Sequence, residues 1–458
     1  MHRLIGVLLL GAWAALLDTT IVTLAVNDFA TAFEASVSET QWVISIYLFA
    51  MATAIPFMGW LVARWGLART WTSALWMFFI GSALCACAWS LESLLLFRAL
   101  QGLGGGLLLP LVQAILAHAA GPQRVARAMS LIGIPGQLAP MLGPLIGGLL
   151  LDTLGWRWLF LVNIPLCALA LWFSRTGIDR SRSDNPGRID WIGAALLIPG
   201  LLLVVATLST FSQAGPGPAF ALLAPGILIL GAFAVHAWKR RSAAIVDITL
   251  SRTRSYRAAL LSTGLSGALL YAILIVAPLF LQQTRHLSPA GTGLLMGSQG
   301  VGLAIGLAVA GRATEQLGSR AMASVGVGAL ALGIAVFAAD GAHPLPIPMI
   351  AAALALVGFG LGVFGVAITA ASYRDIPRSS IAGATALLNV TQRVGASFGA
   401  VVISISLPTI TSSVKPIAAE ASVPFARALF ILAGLLLLAI GCASRLPARF
   451  DLLERKRQ

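Results

Sequence analysis

Asp18 stands alone in an apolar run, Leu4–Val26 (LIGVLLLGAWAALLDTTIVTLAV). About 20 such residues span a bilayer, and a carboxylate at mid-depth costs at least ~2.5 kcal/mol to insert. Of the sixteen acidic residues it is the only one expected near a membrane midplane; the others fall in loops, at helix ends or in the tail. Arg98 is the second charge of interest, about 6 Å inside the outer end of its own run, while Asp18 lies about 12 Å below the outer end of the first, at 1.5 Å per residue. The long Arg side chain lets the two approach. A guanidinium that near would hold the carboxylate ionised, whereas burial favours the protonated form. Moving the Arg would then switch proton binding, which is what proton-coupled transport needs. The rival reading is a static pair that only ties helices together. Gln101, one turn beyond Arg98, either orients it or makes a plain helix–helix hydrogen bond.

These residues must be positioned by membrane helices. Apolar residues make up 58% of the chain and charged ones 10%, against roughly 25% charged in a soluble domain. The mean hydropathy is +0.92. Fourteen apolar runs are legible: Leu4–Val26, Gln41–Val62, Thr70–Ser90, Leu94–Ala117, Ala128–Leu151, Trp158–Phe173, Trp191–Thr210, Ala219–Ala237, Ala258–Leu281, Gly291–Ala310, Ala321–Ala338, Ile347–Ala371, Ala382–Leu407 and Phe425–Ala443. No cleavable signal peptide is expected, since the first run lacks a small-residue cleavage site.

The net charge of +14 suggests nucleic acid until the charges are placed. With the N-terminus in the cytoplasm, 24 of the 30 Lys and Arg fall on the cytoplasmic side, four outside and two, Arg98 and Arg393, within spans. Topology therefore explains the charge, and both termini are expected inside. The four Cys lie in apolar runs as small packing residues. No Cys/His spacing suggests a metal, and no cofactor is expected. No HExxH, P-loop or Ser/His/Asp set appears, so an enzyme is not expected. His236 falls at a helix end and reads as interfacial, and Trp71 and Trp156, also at helix ends, read as interface anchors.

An internal repeat joins distant segments. GWLVARWGLA (Gly59–Ala68) and GRATEQLGSR (Gly311–Arg320) are offset by 252 residues, and the same offset carries Gly143 and Gly147 onto Gly395 and Gly399. Repeated halves around a midplane site are the common build of secondary transporters. The expected organisation is a first six-helix half (1–176), a two-helix spacer with basic flanking loops (177–250), and a second six-helix half with a cytoplasmic tail (251–458).

Several segments resemble the fourteen-helix drug:proton antiporters of the major facilitator superfamily, the EmrB/QacA type. They are LDTTIVTLAV (Leu17–Val26), RALQGLGGG (Arg98–Gly106), APMLGPLIGG (Ala139–Gly148) and GWRWLFLVNIP (Gly155–Pro165). The resemblance implies an all-α major facilitator fold with 14 transmembrane helices in a bacterial cytoplasmic membrane. It implies Asp18 and Arg98 in proton coupling, with gating positions at Gly59, Gly66, Arg69, Pro140, Gly143, Pro144, Gly147, Gly148, Gly311, Glu315 and Gly318. The helix-five motif either seals the cavity as the halves rock or is ordinary tight packing. The superfamily's first cytoplasmic loop usually carries an acid where this chain has Ala63; the second half has Glu315 at the matching place.

Gln101, Asn389, Gln392 and Arg393 are the candidates for the cavity or substrate; Arg393 either lines the cavity or snorkels. The expected function is proton-coupled export of lipophilic drugs or toxic small molecules. The alternative is export of one endogenous metabolite (a siderophore, sugar or amino acid); a membrane enzyme and a non-transporting scaffold are the more distant rivals. The partners are then the substrate, protons and the bilayer, and the resemblance permits a periplasmic adaptor and outer-membrane channel.

Overall fold

The computed structural model describes residues 2–174, 178, 189–214, 216–342, 344–406 and 418–447. Of Pro140 and Pro144 it describes the backbone only, and most of the loop 175–188, much of the predicted outer loop 412–424 and the tail beyond 447 lie outside the described residues.

Every regular element there is helical. The first helix, α1 (His2–Ile21), runs on through a 3-10 turn into Val26–Ala32. α2 starts at Trp42, passes a 3-10 turn at Ile55–Phe57, and ends at a chain reversal at Gly66; α3 (67–86) follows. A second reversal at Gly121 divides α4 (91–120) from α5 (122–154). α6 (Trp158–Phe173) completes the first six. Then come α7 (Trp191–Ala214), α8 (Pro216–Arg240), α9 (Arg254–Gln283), α10 (Pro289–Leu317), α11 (Ser319–Ala342), α12 (Ile347–Ser372), α13 (Ile381–Ser406) and α14 (Ala418–Ala443). Each of the fourteen apolar runs thus coincides with a helical rod. Nine segments among the described residues are long and apolar enough to cross a membrane. One of them, Trp42–Ala86, folds back at Gly66 and so holds two rods.

Glycine makes the repeat visible in the backbone. Gly66 (φ 80) and Gly318 (φ 88), 252 residues apart, both hold left-handed φ in the short turns that follow α2 and α10. Only a residue without a Cβ does so without strain. Close packing repeats too. A Cβ on Gly143 of α5 would strike Thr20 of α1, and one on Gly395 of α13 would strike the Gly264 carbonyl of α9. In each half the motif helix therefore lies against that half's first helix.

The end at which α1 begins, called basal below, is where the halves meet. Gly59 of α2 approaches Gly383 of α13, its built Cβ falling 3.2 Å from the Gly383 Cα. At the matching position, Gly311 of α10 approaches Ser130 and Arg127 of α5, and the Ser130 hydroxyl donates to the Leu307 carbonyl. Two glycines related by the repeat thus let each half press on the other. The spacer pair α7–α8 packs beside this junction, against α2 and α13, with the Ser397 hydroxyl donating to Val204 O at 2.8 Å.

Two tryptophans differ from their expected interfacial place. Trp71 is fully buried and donates through Nε1 to Ser174 Oγ at 2.9 Å. Trp156 is buried against Phe29, 5.4 Å between ring centroids. Both stand at helix ends, but tertiary contacts turn them inward.

Candidate functional site: a sealed ion cluster beside a central cavity

Asp18 is completely buried and accepts three hydrogen bonds. Arg98 Nη1 donates to Oδ2 at 2.6 Å, Gln101 Nε2 to Oδ1 at 2.9 Å, and Asn163 Nδ2 to Oδ1 at 3.0 Å. Arg98 also donates through Nε to Val43 O at 3.1 Å and through Nη1 to Gln101 Oε1 at 2.6 Å. Its guanidinium carbon lies 4.0 Å from the Tyr47 ring centroid, a cation–π contact. Ser82 Oγ accepts from Gln101 at 2.6 Å and from Asn163 at 3.4 Å. Five helices contribute: α1 gives Asp18, α2 Val43 and Tyr47, α3 Ser82, α4 Arg98 and Gln101, and α6 Asn163.

The energetics follow from this closure. A buried charge is tolerated when it is paired and its remaining lone pairs are used. Asp18 and Arg98 meet both conditions, so the ionised pair is stable without water. One group is left over: Asn163 Oδ1 is buried without a hydrogen-bond partner among the described residues. An orphaned acceptor beside a carboxylate suits a proton-bearing state, because a protonated Asp18 would need an acceptor for its new O–H.

A cavity of about 330 Å³ lies between the halves. Leu9, Trp13 and Leu16 of α1, Gln113 of α4, Thr263 of α9 and Asn389 and Gln392 of α13 stand in its wall. Asn389 Nδ2 donates to Gln113 Oε1 at 3.0 Å, a bond from one half to the other. Asp18 is two residues past the wall residue Leu16, on the sealed side.

Of the residues grouped with the cavity from sequence, Asn389 and Gln392 stand in this wall. Gln101 does not: its amide oxygen and nitrogen are both consumed by Arg98, Asp18 and Ser82. Arg393 lies deep among the helices near Tyr271 and Tyr47 and keeps some accessible surface. Among the gating positions, Gly147 faces Leu24 and Ile21 of α1, whereas Gly148 has nothing within 4 Å of a built Cβ. Arg69 is exposed. Glu315 is half-buried, with Oε1 unpartnered among the described residues. Sequence reasoning passed over Asn163, Ser82, Tyr47 and Gln113. Their only signal is a polar group inside an apolar run, and many such groups merely bond their own backbone, as Thr19 bonds Leu16 O.

At the basal end a smaller cavity, about 200 Å³, is lined by Ala63, Asp190, Asp247 and Gly383 among others. Asp190 accepts from Gly193 N at 3.0 Å and Ile245 N at 3.3 Å, and its carboxylate lies 3.0 Å from His236 Nε2. Burial pushes this carboxyl up, but these N–H groups and His236 outweigh it and hold it below the usual carboxylate range. His236, expected to be interfacial, is thus half of a structural pair.

Two matched halves, a shared cavity and a sealed ion cluster are the plan of a secondary transporter. The sequence profile of the Major Facilitator Superfamily matches residues 8–251 and 259–453. The chain belongs to that superfamily. As a member it is a multi-pass membrane protein. It is 33% identical over 409 residues to the "Multidrug resistance protein B homolog" of Mycobacterium tuberculosis, covering 88% of this chain and 76% of that one. It is 30% identical over 412 residues to the "Putative multidrug resistance protein MdtD" of Pectobacterium atrosepticum, covering 87% and 85%. Among solved superfamily structures, the human organic anion transporter MFSD10 matches with a TM-score of 0.64 at 17% identity, over 96% of this chain and 99% of that one. At that identity the likeness concerns the fold alone.

Proposed function

We propose that this protein is a proton-coupled antiporter of the fourteen-helix EmrB/QacA type, exporting lipophilic drugs or toxic small molecules across a bacterial cytoplasmic membrane. The observation that carries the reading is the sealed Asp18–Arg98–Gln101–Asn163 cluster, one helix wall away from a cavity shared by both halves. The relatives' names, multidrug resistance proteins, support the substrate class.

In this reading all fourteen rods cross the membrane and both termini are cytoplasmic, as the Lys and Arg bias requires. The basal end is then the cytoplasmic end, closed at Gly59–Gly383 and Gly311–Ser130, and the state is outward-facing. Proton entry neutralises Asp18 and removes its hold on Arg98. Rotation of the Asn163 amide presents Oδ1 to the new O–H. Arg98 retains Val43 O, Gln101 Oε1 and the Tyr47 ring, so the protonated state is also satisfied. The glycine contacts of α5 on α1 transmit the change, and the halves rock. The alternative, export of a single endogenous metabolite, draws on the cavity's size, which is near the lower end of the ~300–1,000 Å³ of ligand sites. Susceptibility profiles of a pump-deficient host expressing the chain separate the two.

The decisive measurement is proton flux in proteoliposomes under an imposed pH gradient. Asp18→Asn should abolish uphill export and substrate-induced proton release while leaving downhill exchange. Uphill export by the Asn variant at the expense of the pH gradient would move the proton site elsewhere, with Glu315 next in line.

A further inference from the structure

We infer that the central cavity is built for an uncharged lipophilic molecule with a carboxamide-type group, whose carbonyl accepts from Gln113 Nε2 and whose N–H donates to Asn389 Oδ1. This deepens the export reading and rests on it. The first observation is the wall itself. Its polar groups are amides and hydroxyls, such as Gln113, Asn389, Gln392, Thr263 and Ser266. Among the described residues it holds no carboxylate, ammonium, guanidinium or imidazole. The one deep carboxylate, Asp18, is fully buried and already accepts from Arg98, Gln101 and Asn163. Of the basic residues within spans, Arg98 is fully buried on Asp18, and Arg393 is not a wall residue.

The second observation is how two wall amides are bonded. Asn389 Nδ2 lies 2.9 Å from Thr385 O on its own helix and 3.0 Å from Gln113 Oε1 of the other half. The Thr385 carbonyl can only accept, so the Asn389 nitrogen faces it, and Gln113 must present its oxygen to the second N–H. Both N–H groups of Asn389 are thereby used. Gln113 Nε2 and Asn389 Oδ1 have no hydrogen-bond partner among the described residues. They are a donor and an acceptor side by side, one from each half, in the wall of the same cavity.

Together these set the class of the ligand. An ion of either sign would leave its hydration behind and find no counter-charge in the wall, and burying an unpaired charge is heavily penalised. An uncharged amide gives up less and recovers it: its carbonyl takes a Gln113 N–H, and its own N–H reaches Asn389 Oδ1. Its apolar body lies against Leu16, Leu109, Ile132 and Leu307 of the same wall. Because donor and acceptor stand on different halves, the amide is held by both bonds only while the halves keep this spacing. Recognition of that group is thereby tied to one state of the transporter.

Matched fluorescent probes on one ring system test the assignment: 9-anthracenecarboxamide, its methyl ester counterpart, 9-anthracenecarboxylate and 9-(aminomethyl)anthracene. At pH 7 the first two are neutral, the third anionic and the fourth cationic. Binding is read by fluorescence anisotropy on the full-length protein in lipid nanodiscs, with empty nanodiscs as the blank. The carboxamide is expected to bind at least about tenfold more tightly than either ion, a difference of about 1.4 kcal/mol. It should also lead the ester, which keeps the carbonyl and lacks the N–H, by about threefold or more. Gln113→Met should weaken carboxamide and ester alike, since both present a carbonyl. Asn389→Leu should weaken the carboxamide alone and erase its lead over the ester. Gln113→Glu, which retains the acceptor for Asn389, should put the ammonium ahead of the carboxamide; this gain of binding keeps the test sharp if the apolar variants fold poorly. A charged probe that binds wild type as tightly as the carboxamide, a carboxamide affinity unmoved by Gln113→Met, a lead over the ester that survives Asn389→Leu, or no binding of any probe overturns the proposal. The export reading fails separately: amide-selective binding without gradient-driven uptake would refute export and leave the site assignment standing, while gradient-driven drug uptake without amide selectivity would do the reverse.

Discussion

The two halves share a backbone plan and fill it with different chemistry. The offset of 252 residues carries Gly81 onto Gly333, Gly106 onto Gly358, Gly143 onto Gly395 and Gly147 onto Gly399. Both members of each pair stand where a Cβ would strike a neighbouring helix. The same offset carries Asp18 onto Leu270, Ser82 onto Ile334, Arg98 onto Ile350 and Gln101 onto Ala353. Four members of the first half's ion cluster are thus apolar positions in the second, although Tyr47 falls onto the buried Gln299. The second half instead places Arg393 at the position of Met141, half-buried and with no carboxylate within salt-bridge distance among the described residues. The first half's charge is neutralised inside itself, by Arg98 on Asp18. The two halves nevertheless press on each other at the basal glycines.

The largest expected effect comes from making the first half half-apolar. Arg98→Ala leaves Asp18 buried and unpaired, which costs about 3–5 kcal/mol. The double variant Asp18→Leu/Arg98→Ile copies the second half and should recover most of that loss in thermal unfolding of the purified protein, while uphill transport stays absent. A double variant as unstable as Arg98→Ala would break the comparison, because the cluster could not then be exchanged for the second half's packing.

A smaller loss is expected for Asn163→Ala, which removes one of three donors to Asp18. A bond to a charged group contributes about 1.5–3 kcal/mol. The same variant removes the acceptor proposed for protonated Asp18, so the pH profile of transport should move as well as the melting temperature. A melting shift with an unchanged profile would reduce Asn163 to packing.

Next are the paired glycines. A methyl added in tight packing costs about 1–3 kcal/mol. Gly395→Ala should lie at the upper end, since it meets the Gly264 backbone, and Gly143→Ala lower, since it meets the Thr20 side chain. Thr20→Ala should relieve Gly143→Ala in part, since the Thr20 Cβ remains 2.8 Å from the added methyl, and do nothing for Gly395→Ala. Rescue of both, or of neither, would show that the two contacts are not built as described.

The smallest effect belongs to the spacer's acid. Asp190 is buried, but its partner Arg240 is 42% exposed at 3.7 Å, and such pairs contribute little. Its carboxyl is held below the usual range, so its contribution is present above about pH 4 and lost as pH falls through the lower folded value. Asp190→Asn should therefore lower the melting temperature slightly at pH 7, with the gap closing below about pH 4. A gap that widens on acidification would reverse the sign argued for Asp190.

Much of this was legible in one dimension. The fourteen rods follow from hydropathy, because a bilayer admits backbone only when its hydrogen bonds close locally, and 3.6-residue helices do that. The repeat was legible because glycines at a fixed spacing survive where two helices touch. Asp18 and Arg98 were legible because charge in an apolar run is rare. Gln101 was rightly read as a partner of Arg98 and wrongly grouped with the cavity, since sequence does not show which partners use up a buried amide. Asn163 and Gln113 were passed over for the same reason.

Composition and spacing by themselves thus determined the helices, the duplication and the unusual charges, all of which depend on the solvent and the chain alone. Only the tertiary structure decided that Arg98, Gln101 and Asn163, from two other helices, converge on Asp18, and that the halves close at Gly59 and Gly311. Those facts depend on which helix faces meet. Helix facing is set by small residues hundreds of positions apart, and in an all-apolar rod no periodicity announces it.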